Sequence, residues 1–427
     1  MRLTSPIASA FQILVPSLLL ILSLFLAASP AMAAPACGDM TGKPASGEPI
    51  TIGAIVGRTG PDDFSASAKA AKAYFDCVNA NGGIKGRPIR YIIADDQWNP
   101  ETAAQLAAKI VNDEKAVAMV GSASFVECAA NAKLYEQAGI VALAGVGVPR
   151  ECFTARNYAP TNAGPRISTL GAAEYAAETL GAKSFVCIGP NIPNVGTWSC
   201  DGVALWAKAK GLTSQTILID PGSADATSVI LQAASSKPDA IVLALPKGLM
   251  IPHLVAAEEQ GLIDKIKFVS AASGYDLSVP GTLGSAWSGK FYVNMEFNAL
   301  TSAGEDNGNW RAVMDAYAKP EDPRDTFAQA GYLAARIATA TLLGLDPAKI
   351  DRKSVTAALS AISGYKSDIF CAPWFYGAEL ARHNANTTIR MAVTDGKEWK
   401  VVSQCRTSSD PELADIRAYE KAHGINQ

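Results

Sequence analysis

The 427 residues carry 37 basic and 40 acidic side chains, a formal net charge of −3, so nothing electrostatic argues for nucleic acid as a partner. With 49% hydrophobic and 18% charged residues, the chain can build large cores, and at this length two domains are expected rather than one. Eight cysteines without a CxxC spacing point to disulfides in an oxidising compartment and away from zinc or dithiol redox chemistry.

Residues 1–33 read as a signal peptide. Arg2 is their sole charge, an apolar run extends from Ile13 to Ala28, and Ala31-Met32-Ala33 is a small-residue cleavage box. Export to the periplasm with cleavage near Ala33 is therefore expected. That box and the break at Pro16 argue against a retained anchor, and no later stretch approaches ~20 apolar residues. Cys37 is a poor lipidation site, because Ala34-Pro35-Ala36 lies well past the apolar run. Local cysteine pairing gives Cys37–Cys77, Cys128–Cys152, Cys187–Cys200 and Cys371–Cys405, although sequence alone permits other connectivities.

The stretch from Ile50 to Gln97 is a βαβ unit. Ile50–Val56 is a short buried-strand run stopped by Gly57-Arg58-Thr59-Gly60-Pro61, Ser65–Asn79 has helical periodicity closed by Asn81-Gly82-Gly83, and Ile89–Ala94 leads into Asp95-Asp96. Asn99 and Pro100 form a helix start running to about Asn112. Strands Ala116–Val120 and Ile140–Ala144 follow, then a linker at Asn157–Gly164. The alternation restarts with strands at Ser184–Ile188, Thr216–Ile219, Ala240–Leu245, Lys267–Ala271 and Phe291–Met295, the last leading back to the first lobe. Helices are expected near Asn309–Ala318, Thr326–Leu343 and Ser354–Ala361, β-type alternation over Phe370–Val402, and a short helix from Pro411.

Several of these segments together resemble the type I periplasmic solute-binding proteins of ABC importers, in the leucine/isoleucine/valine-binding-like branch. They are Ile52-Gly53 through Thr59-Gly60-Pro61, the run from Asn79 to Ile89, Asp95-Asp96-Gln97 with Asn99-Pro100, Val120-Gly121, and Thr394-Asp395-Gly396-Lys397. The resemblance implies an α/β fold of two doubly wound Rossmann-like lobes joined by a multi-crossing hinge. The first lobe would hold 49–161 with 296–366, the second 162–295 with 367–405, and 406–427 would form a tail. It also implies capture of one small molecule by hinge closure and delivery to a membrane permease, by a monomer without cofactor. A receptor of the same fold that signals to a membrane partner is the alternative reading.

In such sheets, ligands sit at the carboxyl ends of the strands. The first lobe then offers Arg58, Thr59, Phe64, Ser122, Ser124, Phe125, Gly145, Gly147 and Val148, and the second offers Trp198, Lys247, Ser273 and Tyr275. Relatives that bind α-amino acids use an acid opposite the ammonium. No acid is evident in the matching neighbourhoods Ser124-Phe125, Gly147-Val148 and Ala272-Ser273, which disfavours a free amino acid. Arg58 and Lys247 suggest an anionic ligand, with Phe64, Phe125 and Trp198 against an apolar body, and hence a small aromatic carboxylate. Enzyme motifs are weak or missing. Gly145-Val146-Gly147 has Arg150 where a dinucleotide loop needs glycine, there is no GxxxxGK[ST] or GxSxG, His253, His383 and His423 show no metal spacing, and Asp95-Asp96 fit caps and turns.

Overall fold

The computed structural model describes residues 35–425, so the expected signal peptide lies outside the described part. The first sheet is built from β1 (Ile50–Val56), β2 (Ile89–Asp95), β3 (Ala118–Val120) and β4 (Ala142–Leu143), all parallel in the order β2-β1-β3-β4. β1 is buried at six of its seven positions, as a parallel strand covered on both faces requires. Its register with β2 runs from Ile50↔Ile89 to Val56↔Asp95, which delivers Asp95 beside the loop that leaves β1.

The second sheet comprises β5 (Ser184–Pro190), β6 (Thr213–Ile219), β7 (Ala240–Leu243), β8 (Lys267–Ser270), β9 (Phe291–Met295), β10 (Thr388–Thr394) and β11 (Trp399–Val401). Their order is β11-β10-β9-β8-β7-β5-β6, and β12 (Arg406–Thr407) pairs with β10. β5 to β9 are parallel and β10 is antiparallel to both of its neighbours. Side-chain alternation is clear along β5: Val186 and Ile188 enter one core, Phe185 and Cys187 the other.

The observed helices Ala66–Ala80, Glu305–Tyr317, Thr326–Gly344 and Arg352–Ser360 lie within a few residues of the expected spans. Helices Ala66–Ala80 and Thr326–Gly344 approach so closely that a Cβ on Gly331 would fall 1.9 Å from the Ser67 carbonyl oxygen. Two elements depart from expectation. The helix opening at Pro100 is α-helical only to Ala108 and widens into a π-helical turn at Lys109–Asp113. The segment 370–387 carries no strand: Pro373 and Gly377 interrupt it, and its asparagines bond to the backbone of neighbouring segments instead of joining a ladder.

Those asparagines gather the segments that run between the two sheets. The Asn386 Nδ2 donates to the Thr161 carbonyl at 3.3 Å and to the Glu296 carbonyl at 2.8 Å, so one side chain ties three separate stretches of chain. Asn384 Nδ2 donates to the Ala163 carbonyl at 3.2 Å. Nearby, Arg166 and Asp410 form a fully buried pair, with Nε 2.7 Å from Oδ2 and Nη2 3.1 Å from Oδ1, which fastens the tail. The four disulfides are those expected, with Cα–Cα distances from 5.1 to 6.1 Å. No helix of the described residues is long and apolar enough to cross a membrane.

Candidate functional site

A cavity opens where loops from the two sheets meet. Phe64, Phe125, Val146, Gly147 and Val148 line it from the first sheet's side, and Val195, Leu245, Pro246, Ala271 and Ser273 from the second's. Asn162, Pro165, Ser168, Glu296 and Phe327 close the remaining wall. The gap is tight, about 40 Å³, where one water needs roughly 10–15 Å³ by the same measure, so the walls are drawn together as on a few waters. An adjoining mouth of about 210 Å³ shares Phe64, Ser273 and Phe327 with the cavity and is lined further by Asp62, Asp63, Lys247, Tyr275, Asp276 and Asp325.

Aromatic rings make the apolar wall. The Phe64 ring lies 4.7 Å from that of Phe125 and 5.1 Å from that of Phe327, and Trp98 stacks on Phe125 at 4.2 Å. The edge-to-face Phe64–Phe125 contact and the stacked Trp98–Phe125 contact fix ring planes and leave a stiff apolar surface.

Of the sequence-predicted residues, Phe64, Phe125, Gly147, Val148 and Ser273 line the cavity, while Lys247 and Tyr275 line its mouth. The structure does not bring the others there. The N–H groups of Arg58 and Thr59 donate to Asp95 Oδ1 at 2.9 and 3.2 Å, the Thr59 hydroxyl donates to Oδ2, and the Arg58 guanidinium stands 3.6 Å from the same carboxylate. Burial pushes the Asp95 carboxyl up, but these donors outweigh it and hold the group below the usual range. Both residues are therefore occupied in shaping the first loop.

Ser122 accepts the Ile55 N–H at 3.1 Å. The Ser124 hydroxyl donates to Asp96 and accepts the N–H groups of Val126 and Glu127, each at 3.0 Å, at the start of helix Glu127–Ala138. Gly145 is a packing glycine, since a Cβ there would fall 2.0 Å from the Ser67 hydroxyl. Trp198 points away from the cavity and packs at 5.5 Å on Phe153, with Val195 taking its place on the wall.

Lys247 Nζ lies 2.6 Å from Asp276 Oδ2. Burial disfavours both charges, but the pair outweighs it, raising the lysine's pKa and lowering the aspartate's. Asp62 accepts the Gly248 N–H at 2.8 Å and so links the loop after β1 to the start of helix Lys247–Glu259; burial raises its pKa despite that bond. A second link is the backbone bridge between Asp276 and Asp325. Asp325 also accepts the Ala328 N–H at 2.8 Å, and burial, aided by Asp276, pushes its carboxyl up to about 6.

Sequence reasoning missed Glu296, Phe327 and the mouth residues Asp276 and Asp325. Glu296 puts an acid in the cavity wall, outside the neighbourhoods Ser124-Phe125, Gly147-Val148 and Ala272-Ser273 in which none was evident. It is 3% exposed, lines the cavity, and its Oε2 has no hydrogen-bond partner among the described residues. Burial pushes its carboxyl up to about 7, against the lowering pull of the N–H groups of Gly164 and Ala163 and the Asn162 side chain. Among the described residues no group of three or more His, Cys, Asp or Glu side chains is placed to hold a metal ion.

Two sheets whose strand-end loops meet across one cavity define the architecture, and comparison with known proteins places the chain in a family. Residues 49–398 match the family model described as periplasmic binding protein, and the chain belongs to that family. A Pseudomonas aeruginosa amino acid binding protein is 31% identical over 96 residues, which cover 21% of this chain and 25% of that protein's length. Among solved structures, a possible leucine/isoleucine/valine-binding protein from Rhodopirellula baltica superposes with a TM-score of 0.74 at 16% identity, covering 84% of this chain and 98% of its own. A Rhodopseudomonas palustris ABC transporter solute-binding protein, solved with benzoate, reaches 0.69 at 20% identity, covering 85% and 99%. The type I, leucine/isoleucine/valine-binding-like fold expected from the sequence is thus the one observed.

Proposed function

We propose that this protein captures one small organic solute in the cavity between its two sheets and hands it to an ABC permease, working as an exported monomer without cofactor. The observation that carries the reading is convergence. Loops following β1, β3 and β4 face loops following β5, β7 and β8 across one gap, and the bond from Gly248 to Asp62 and the Asp276–Asp325 bridge span it. A cavity this tight requires the halves to part before a solute enters, and the segments held by Asn386 are where the backbone would bend. We place the lobes at 49–161 with 296–366 and at 162–295 with 367–405.

The aromatic wall supports a ligand with an apolar or aromatic body, the class to which the benzoate of the R. palustris neighbour belongs. The carboxylate part of the sequence expectation loses its support, because Arg58 is engaged with Asp95 and Lys247 with Asp276. The test is to denature protein purified from its native periplasm, identify the released small molecule by mass spectrometry, and titrate it back into stripped protein. A solute that rebinds at one site with a fall in radius of gyration supports the reading. A rigid particle that retains and rebinds nothing refutes it.

A further inference from the structure

Resting on that reading, we propose that Trp98 is a positioning residue of the solute site: its indole ties the aromatic wall to the Asp62–Gly248 link, so that an apolar body seated on that wall also holds the halves together. Trp98 lines neither the cavity nor its mouth. Its ring stacks on Phe125 at 4.2 Å with the planes 16° apart, and meets the Phe64 ring edge-on at 5.9 Å. Its Nε1–H donates to the Asp62 carbonyl at 3.2 Å, while the Asp62 carboxylate accepts the Gly248 N–H at 2.8 Å from the other side of the gap. One indole therefore touches two wall rings and the residue that crosses the gap.

The backbone around Trp98 is shaped to hold this side chain. Gln97 and Trp98 sit at positive φ, 56° and 59°, a region that residues with a side chain enter rarely and keep only where their surroundings enforce it. Asp96 supplies the restraint: its Oδ1 accepts the Trp98 N–H at 2.9 Å and its Oδ2 the Ser124 hydroxyl. The same carboxylate thus anchors Trp98 and the residue before Phe125. The loop leaving β1 makes room for the ring. A Cβ on Gly57 would fall 2.9 Å from Trp98 Nε1, and one on Gly60 2.6 Å from Cδ1. The Phe64 N–H closes that loop by donating to the Gly57 carbonyl at 3.0 Å, so Asp62 and Phe64 ride on a closed loop that rests on the indole. A smaller side chain at position 98 would leave the Asp62 carbonyl without its donor and let the loop settle, carrying the carboxylate away from Gly248. Phenylalanine would keep the stack on Phe125 and lose the N–H.

The experiment uses protein purified from its native periplasm with the small molecule it retains, as wild type, Trp98→Phe, Trp98→Leu, Asp62→Ala and the double variant Trp98→Phe with Asp62→Ala. Two readings are taken: release of the co-purified molecule after rapid dilution, and deuterium uptake by the peptide carrying Gly248, which lies on the far side of the Asp62 link. Trp98→Phe should speed release about threefold to tenfold, with association changed by less than about twofold, and should raise uptake at Gly248 without raising it in β2. Trp98→Leu should speed release further. In the double variant, Trp98→Phe should add less than about twofold to the effect of Asp62→Ala, since the indole N–H acts through Asp62. Circular dichroism checks that each variant folds, and if Trp98→Leu does not, the cycle with Trp98→Phe decides alone. Release and Gly248 uptake unchanged in Trp98→Phe, or effects that multiply in full in the double variant, would overturn the proposal and leave Trp98 a packing residue. A wild-type particle that neither retains nor rebinds any solute would instead remove the parent reading.

Discussion

Replacing Glu127 by Gln should make the protein more stable at alkaline pH and change little near pH 4.5. Glu127 opens helix Glu127–Ala138, is 1% exposed, and accepts the Tyr135 hydroxyl at 2.7 Å through Oε1. Burial pushes its carboxyl from an ordinary 4.5 up to about 7, the nearby Asp96 adding to the rise while the Tyr135 and Tyr158 hydroxyls oppose it. Between those values the folded chain keeps a proton that the unfolded chain has released, so stability falls as pH rises through the window and levels off above 7. At about 1.4 kcal/mol per pH unit, that window amounts to ~3 kcal/mol at pH 8. Glutamine keeps an acceptor for Tyr135. Urea unfolding of both proteins from pH 4.5 to pH 8.5 reads the difference directly. Buried Glu296 and Asp325 lower stability in the same direction, but they cancel between the two proteins. Stability curves that run parallel, with no gap opening between pH 5 and 7, would refute the argument.

Arg166→Met should destabilise the protein by about 3–5 kcal/mol, because Asp410 would be left charged and buried; the double variant Arg166→Met with Asp410→Leu should recover much of that loss in thermal melts. Asp62→Ala removes the acceptor of the Gly248 N–H and should weaken binding of the co-purified solute roughly threefold to tenfold, mainly as faster release in stopped-flow measurements. Replacing Cys187 and Cys200 together by Ala opens a loop of 13 residues and should cost about 3 kcal/mol in denaturant unfolding, with the fold retained by circular dichroism.

The strands and most helices could be read because local rules set them. Ile50–Val56 and Ile89–Asp95 are apolar runs between breakers, and Asn99 does cap its helix, accepting the Thr102 N–H at 2.9 Å. Aromatic wall residues such as Phe64 and Phe125 were visible for a similar reason: they sit in loops just beyond strand ends, where a large apolar side chain needs a partner. Glu296 and Phe327 were invisible because what matters about them is non-local. Both lie on or beyond a crossing segment, and only the return of the chain between sheets carries them to the wall. The charged and hydroxyl residues misled in the opposite way. Arg58 and Ser124 have the right chemistry in the right loops, but Asp95 and Asp96, brought in by the strand next door, take up their hydrogen-bonding capacity.

The Arg166–Asp410 pair joins groups 244 positions apart, the later one 17 residues before the chain ends. During synthesis from the N-terminus, the guanidinium waits for a counter-ion that does not yet exist. Until Asp410 emerges, burying Arg166 would strand a lone charge. A chain built this way postpones the locking of its tail until Asp410 has joined the fold.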